Sequence, residues 1–308
     1  MAGRRGTAVA TALLLCAALA AAGCGLGAGE SVGTVELTVT REFGTVPVLQ
    51  RSLEANESDT VMRVLEGSAE ITTRYGGGFV HSIEGVAEAE RGGRPHDWFF
   101  YVDGVESPIG AADYPLEGGE RIWWDYRDWS ATSHVPAVVG SWPAPFTGGY
   151  EGERHPVAVE CEGGGGACAR VRGALRGAGV ALAADSPPGA IRVLVGPWVR
   201  LRSDPAARAI EAGPEESGVY ADFEPRPGGY ALIGLGPDGE AGRELGPDAG
   251  LVAATRRYEA PPVWVVTGGT AASVRAAAGL LSGAKLRDHY AVASEDGKET
   301  PLPLEDAP

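Results

Sequence analysis

The side chains that carry catalytic chemistry are few and scattered in this chain of 308 residues. It contains neither the Gly-x-Ser-x-Gly elbow of serine hydrolases nor the His-Glu-x-x-His motif of zinc proteases. Its histidines stand singly, at positions 81, 96, 134, 155 and 289. Asp222 and Glu224 share one face of a predicted strand, but no neighbouring group in the sequence would tune them for acid–base work. We therefore expect no catalytic residues and no cofactor.

Two further patterns have both a binding and a structural interpretation. Asp125, Asp128 and His134 are close enough in sequence for metal ligation, yet carboxylates in loops are more often turn formers and solvated charges. The turn 267–270 is rich in glycine and precedes a predicted helix, a position where anions can bind. It matches neither a P-loop nor a dinucleotide fingerprint. We predict a structural turn and no metal site.

Tryptophans are concentrated in one stretch, residues 97–146. Alternation along DWFFYVDG and ERIWWDY gives two predicted strands an aromatic residue on both faces. The face with Trp98, Phe100 and Trp124 is most simply core. The second face must be covered by protein or used by a ligand, since tryptophan and tyrosine bury large areas in either setting. The residues that we predict to contact a ligand are Phe99, Tyr101, Trp123 and Trp129. Packing of this face against a second domain is the alternative.

The first 24 residues have the three parts of an export signal. Arg4 and Arg5 form a basic region, residues 8–22 are apolar, and a run of small residues ends at Cys24. This arrangement resembles a bacterial lipoprotein signal, in which the cysteine becomes the lipidated first residue of the mature chain. The resemblance implies a signal peptide over residues 1–23 and a lipid anchor at Cys24, on the extracytoplasmic face of the cell membrane. An ordinary cleaved signal with an incidental cysteine is the alternative.

Charge and cysteine usage limit the partners. The net charge of -15 becomes -17 without residues 1–23, which hold two arginines and no acids. Such an acidic surface repels phosphates, so we exclude nucleic acid as a partner. Cys161 and Cys168 enclose a glycine-rich loop, and in an exported protein we expect them to form a disulfide. A metal pair is the alternative, although no further ligand follows nearby.

The predicted elements divide the chain into two folded units and predict an α+β protein. Residues 24–33 form a glycine-containing tether, and residues 34–127 contain two strands, a short helix and further strands. Residues 128–154, which include three prolines, are expected to cross from the first unit to the second. Strands alternate with helices over residues 155–294, which predicts an α/β domain with a mixed sheet. Residues 295–308 are acidic and are predicted to be a disordered tail.

The clearest unit of the second half is the last one. The strand Val263–Val266, a helix around Val274 and the strand His289–Ala293 form a βαβ pattern. Such a unit predicts that its two strands are parallel within one sheet.

Three segments of the first unit occur in the order of a known family: GGGFVHSIEGV, DWFFYVDG and AADYPLEGGERIWWDY. They resemble the transcobalamin-like C-terminal domain, with Asp103 at the family's turn asparagine and Glu120 at its usual aspartate. The resemblance covers about residues 33–127 and implies a small β-grasp-like domain. In eukaryotic cobalamin carriers this module closes over a corrinoid that lies against a helical barrel. No such barrel is predicted here, so a sugar ring, a lipid head group or a peptide is an equally suitable ligand.

These features predict a membrane-anchored, extracytoplasmic lipoprotein that acts as a binding or accessory module. Its most concrete role is capture of a nutrient, cobalamin-like or glycan, for a transporter or another cell-envelope partner. The alternative is a hydrolase of cell-surface carbohydrate that uses carboxylates near the domain junction.

Overall fold

The computed structural model describes residues 29–163 and 165–305. The predicted signal peptide, Cys24 and residues 306–308 lie outside this part of the chain. The fold is α+β, as predicted, with four β-sheets. None of the helices in the described ranges has the length and apolarity that crossing a bilayer requires.

The N-terminal unit has nine strands and one α-helix. The strands are β1 Ser31–Arg41, β2 Val46–Asn56, β3 Ile71–Arg74, β4 Phe79–Ile83, β5 Val86–Ala87, β6 Ala89–Arg91, β7 Arg94–Val102, β8 Val105–Glu106 and β9 Arg121–Asp128. The helix is α1 Val61–Glu66, and a 3-10 turn follows at Tyr75–Gly77.

The C-terminal unit has the remaining elements. Its strands are β10 Val157–Cys161, β11 Ile191–Val195, β12 Ala221–Arg226, β13 Gly229–Leu235, β14 Ala241–Glu244, β15 Gly250–Thr255, β16 Val263–Gly268, β17 Ala291–Glu295 and β18 Lys298–Leu302. Its helices are α2 Gly165–Gly177, α3 Trp198–Leu201, α4 Pro205–Arg208, α5 Pro214–Ser217, α6 Ala271–Ala278 and α7 Gly283–Leu286, with a 3-10 turn at Ala209–Ala212.

The main sheet of the N-terminal unit has the order β2-β1-β9-β7-β6, with β8 paired to β7. β1 and β9 are parallel, and the other pairs are antiparallel. Helix α1 covers one face, because Val61, Val64 and Leu65 form a buried stripe against Leu37 and Trp124. The hydroxyl of Thr60 caps this helix through the N–H of Arg63. A hairpin, a covering helix and a parallel last strand make the unit β-grasp-like, as expected.

Two tight hairpins bring β6, β7 and β8 together. The first turns at Gly92-Gly93 and the second at Asp103-Gly104, and all four residues have positive φ. Two-residue turns of this conformation match the twist of the strands that they join. The second turn also receives the crossing segment, since Val138 donates its N–H to the carbonyl of Gly104 at 2.9 Å.

The second unit is organised by a mixed sheet with the order β10-β11-β16-β15-β17-β18. β10, β11 and β16 are parallel, whereas β15 is antiparallel to both β16 and β17. β16 and β17 are therefore parallel strands of one sheet, as the βαβ pattern predicts, but β15 lies between them. The βαβ pattern does not predict that another strand, β15, lies between these two.

Each face of this mixed sheet buries its own core. Trp264 and Val266 point to the side of α2 and α6, which the crossing segment 128–154 also covers through Trp142 and Phe146. Val265 and the other residues on its face of the sheet point to the other side, toward the N-terminal unit. The small antiparallel sheet β12-β13-β14 packs on that second side. The crossing segment is therefore an ordered part of the core.

The prediction of a disordered C-terminal tail is wrong for residues 298–302. They form β18, whose residues pair with β17, and Pro301 lies opposite Val292. Proline is tolerated there because β18 is an edge strand and needs no N–H for a further neighbour.

Gly104 and Gly93 provide a matched test of how the crossing segment docks. Both have φ of +80°, but an added Cβ at Gly104 would lie 2.9 Å from the carbonyl oxygen of Val138, whereas none of the described atoms lies within 4 Å at Gly93. Gly93→Ala should lower the free energy of unfolding by about 1–2 kcal/mol through backbone strain alone. Gly104→Ala should lower it by roughly 1–3 kcal/mol more, measured by urea denaturation. Equal losses would show that the turn and the segment are not tightly packed.

Candidate functional site

The second aromatic face is covered by the C-terminal unit. Tyr101 is fully buried and Trp123 is 2% exposed, and both pack against the ring of Tyr290. Phe43, from the turn between β1 and β2, contacts the same ring and that of Tyr220. This face would bind a ligand only if its side chains were open to solvent, and Tyr101 and Trp123 are not. Their position matches the alternative, in which this face packs against the second unit.

A buried polar network runs through this interface and is centred on Asp125. One carboxylate oxygen accepts hydrogen bonds from the hydroxyl of Thr40 at 2.6 Å and from the N–H of Gly44 at 3.1 Å. The other accepts from the hydroxyl of Tyr290 at 3.1 Å. Thr40 in turn accepts from the indole N–H of Trp123 at 2.8 Å. Each donor stabilises a carboxylate that has no contact with water.

Burial sets the protonation of this network. It raises the pKa of Asp125 to about 6, against the lowering effect of its three hydrogen bonds. Burial likewise raises the pKa of Asp103, in the second hairpin turn, to about 7. Both groups therefore bind a proton more tightly in the folded chain than in the unfolded one.

The other two predicted contact residues have different surroundings. Phe99 lies beneath the guanidinium group of Arg127, 3.8 Å from the ring centre. Arg127 is itself buried and donates to the carbonyls of Asp128, Thr132 and Ser133. Trp129 is 37% exposed, and its backbone N–H donates to the carbonyl of Pro95.

The residues considered for a metal site have separate partners. Asp125 belongs to the buried network, Asp128 lies 3.3 Å from Arg94, and His134 lies 3.6 Å from Glu106. Within the described ranges, histidines, cysteines and acidic residues form no group of three that would hold a metal ion. Cys161 and Cys168 are joined by a disulfide that links the end of β10 to α2, as predicted.

A different feature of the N-terminal unit has the form of a binding site. A groove of about 220 Å³ lies between residues 97–100 of β7 and residues 78–80 at the start of β4. Met62, Ala111 and Trp124 also line it, with Glu106 at one end. We call this feature the aromatic groove. Of the four predicted contacts, only Phe99 lines it.

The groove has an aromatic wall, and one residue of this wall carries a hydrogen-bond donor without an acceptor among the described residues. Phe100 stacks on Trp124, with ring centres 4.9 Å apart. Trp124 is 3% exposed, and its indole Nε1–H has no hydrogen-bond partner in the described part of the chain. A buried donor without a partner costs free energy that an acceptor on a ligand would recover.

Acidic side chains lie along the groove, whereas its lining contains no lysine, arginine or histidine. Burial raises the pKa of Asp97, whose carboxylate accepts the N–H of Trp98 at 2.8 Å. Burial also raises the pKa of Glu106. The groove therefore favours a ligand that is apolar in its centre and neutral or cationic at its ends.

Large apolar side chains are exposed on or next to the segments that line the groove. Tyr75 is 86% exposed, Ile109 45% and Phe79 37%, and the rings of Tyr75 and Phe79 touch edge to face. A cluster of this kind on a soluble surface is typical of an interaction site.

Sequence reasoning missed this groove because it assigned Phe100 and Trp124 to the core. They are core residues, but a gap in strand pairing leaves one side of them open. The small residues Gly110, Ala111 and Ala112 and the glycine-rich turn 76–78 are the signals that could have indicated space there.

A second, wider hollow has less functional character. It has a volume of about 750 Å³, is widely open, and lies around Arg192, Glu160 and Asp204. Arg192 forms ion pairs with both acids, at 2.7 and 2.6 Å. Its charge is satisfied within the protein, so Arg192 does not require a ligand.

Comparisons with known proteins give one family match and a weak structural similarity. Residues 58–128 match the family model of a domain of unknown function, DUF4430. No functionally curated protein matches the chain. A crystal structure from Ruminococcus gnavus, described as that of a putative metal binding protein, is 14% identical over 31% of this chain and 97% of its own. Its TM-score of 0.24 is too low to support a conclusion about this chain.

The raised pKa of Asp125 predicts a specific pH dependence. Its stabilising protonation is complete below the unfolded pKa of about 3.9 and is lost as the pH rises through about 6. The free energy of unfolding should therefore increase from pH 8 to pH 5 by about 1 kcal/mol more in the natural protein than in Asp125→Asn. Urea denaturation at both pH values measures this difference. Asp103 titrates in both proteins, so its contribution cancels, and an equal pH dependence would contradict the assignment.

Proposed function

We propose that this protein is a membrane-anchored, extracytoplasmic lipoprotein that acts as a binding module, and that the aromatic groove is its recognition site. The observation that carries the proposal is the open, aromatic groove, whose lining residue Trp124 has a buried indole N–H without a partner in the described part of the chain. A group that is costly to bury without a partner is favoured where a ligand supplies that partner.

The size of the groove limits what it encloses. Pockets that enclose a drug-sized ligand have volumes of roughly 300–1,000 Å³, and this groove has about 220 Å³. It suits one ring or one side chain of a larger molecule. The exposed rings of Tyr75 and Phe79 would extend the contact beyond the groove.

The resemblance to the transcobalamin-like C-terminal domain supports nutrient capture as the setting. A corrinoid would place only a peripheral group in the groove, and the longest described helix, α2, has 13 residues, so the described ranges contain no helical barrel to receive the rest. A glycan would place one sugar ring against Phe79 and Phe100. With either ligand, the protein would deliver the bound molecule to a transporter or another cell-envelope partner.

The lipid anchor is proposed from the lipoprotein-like signal that ends at Cys24. Acyl chains on that cysteine would hold the protein at the membrane, and the described domains would lie in the extracytoplasmic space. The disulfide between Cys161 and Cys168 supports this location, because structural disulfides persist in oxidising compartments.

A carbohydrate-acting hydrolase is the second candidate. Asp97 and Glu106 both line the groove, and burial raises the pKa of each, as a general acid requires. Release of reducing ends from an added oligosaccharide would support this candidate. Binding without turnover would favour the binding module.

Tryptophan fluorescence tests the recognition site directly. Cobalamin, cobinamide and chitotriose are titrated into the full chain, and a saturable change is expected with at least one of them. Trp124→Phe keeps an aromatic ring but removes the unpaired donor, so affinity should fall about tenfold, which corresponds to about 1.4 kcal/mol.

Trp129→Phe is the matched control, because Trp129 is 37% exposed and does not line the groove. Its affinity should equal that of the natural protein. Equal affinities in all three proteins would place the ligand elsewhere. Thermal denaturation confirms that both variants are folded.

Cell fractionation tests the anchor. Cys24→Ser removes the acceptor for the lipid, so the protein should move from the membrane fraction to the soluble fraction and lose labelling by radioactive palmitate. Cys16→Ser, within the apolar part of the signal, is the control and should stay on the membrane. Membrane retention of Cys24→Ser would contradict lipidation.

A further inference from the structure

The outer edge of β7 is unpaired where it borders the aromatic groove. β6 pairs with residues 94–96 and β8 with residues 101–102, so no described strand pairs with residues 97–100 on that side. On its other side β7 is fully paired with β9. Four residues of β7 therefore have no strand partner on this side in the described chain, although Trp98 among them is only 5% exposed.

The register of the two hairpins shows which backbone groups face this edge. Arg94 and Val102 are the closing residues of their hairpins, opposite Arg91 and Val105. In an antiparallel pair, alternate residues direct their N–H and C=O groups to the same neighbour. The N–H and C=O groups of Trp98 and Phe100 consequently point outward, and only the N–H of Trp98 is taken, by Asp97.

Natural proteins protect such edges by covering them or placing charges along them. Here Asp97 is the one charge within the gap, and large apolar side chains surround it. Exposed Phe79 and Ile109 would promote pairing with another chain, which is the opposite of protection. The edge therefore has the features of a surface that receives a strand.

The groove beside the edge has the size for one apolar side chain. Residues of an added strand point alternately to the two faces of the sheet, so a single one would enter the groove. Asp97 and Glu106 mark the two ends of the gap, and the groove lining itself has no basic residue, although Glu106 lies 3.6 Å from His134, which does not line it. They favour lysine or arginine on either side of the apolar residue.

We propose that the edge of β7 at residues 97–100 binds an extended peptide of a partner protein, by strand addition. One large apolar side chain of the peptide fills the aromatic groove, and basic residues flank it. A peptide carbonyl in the groove supplies the acceptor for Trp124. This inference rests on the proposed function, because it names the ligand class of the same groove, and it follows a known mode of peptide recognition.

A peptide library tests the proposal. Ten-residue peptides randomised at every position are displayed on phage and selected against the full chain. Selected peptides should contain a large apolar residue flanked by lysine or arginine and should lack proline near it. Two of them are then synthesised in three forms each. One form is unmodified, and the other two carry backbone N-methyl groups at one or the other set of alternate residues.

Methylation of the set that pairs with β7 should weaken binding at least tenfold, whereas methylation of the other set should change it less than twofold. Phe79→Ala should also weaken binding about tenfold. Trp129→Ala is its matched control, since both side chains are 37% exposed and only Phe79 lines the groove. Equal effects of the two methylated sets, or of the two variants, would overturn strand addition.

Asp97→Asn tests the charge at the end of the gap. It keeps an acceptor for the N–H of Trp98 but removes the charge, so affinity should fall about threefold at low salt. Asp222→Asn is the control, because Asp222 makes the same bond to the N–H of the residue that follows it, away from the groove.

The two proposals fail separately. If no peptide is selected but cobalamin or a glycan gives a fluorescence change that depends on Trp124, the binding module stands and strand addition is wrong. If neither peptides nor these ligands bind, both proposals are wrong.

Discussion

The burial of a carboxylate determines how the two units of this protein meet. Asp125 has no access to water, and its oxygens are satisfied by donors from three separate places in the chain. Thr40 lies in β1, Gly44 in the turn that follows, and Tyr290 immediately before β17. Because an unsatisfied buried carboxylate is very costly, all three segments must be placed together for the protein to fold. The aromatic rings around them then exclude water from the network.

This arrangement separates two tasks within one sheet. The face that carries Tyr101 and Trp123 is used to join the units, and the opposite face is covered by α1. The proposed recognition site lies at an edge, where strand pairing is incomplete. The lining of the aromatic groove falls entirely within the DUF4430 match at residues 58–128. The donors to Asp125 lie outside it, so the groove belongs to the matched domain and the interface depends on the rest of this chain.

Local patterns were enough to predict the strands but not their neighbours. Alternation in DWFFYVDG correctly gave two aromatic faces, and the turn at Asp103-Gly104 followed from its residue types. What covers Tyr101 depends on Tyr290, which lies 189 positions later, and no local rule relates the two. The run GLVAAT of β15 was missed because its small residues carry a weak strand signal. The groove depends on where β6 stops and β8 starts, which only the assembled sheet reveals.

The register of the main sheet also sets the distance between the groove and the N-terminal end of β1. Phe100 pairs with Trp124, and Trp124 pairs with Val39 of β1, eight residues after the first residue of that strand, Ser31. At about 3.3 Å per residue, the groove lies roughly 26 Å along the sheet from the point where the tether joins it. Under the proposed lipid anchor at Cys24, and with the sheet perpendicular to the bilayer, a partner fixed in the same membrane would have to extend about that far to reach Trp124. A short peptide loop close to the bilayer would not suffice, whereas a flexible extracytoplasmic segment would.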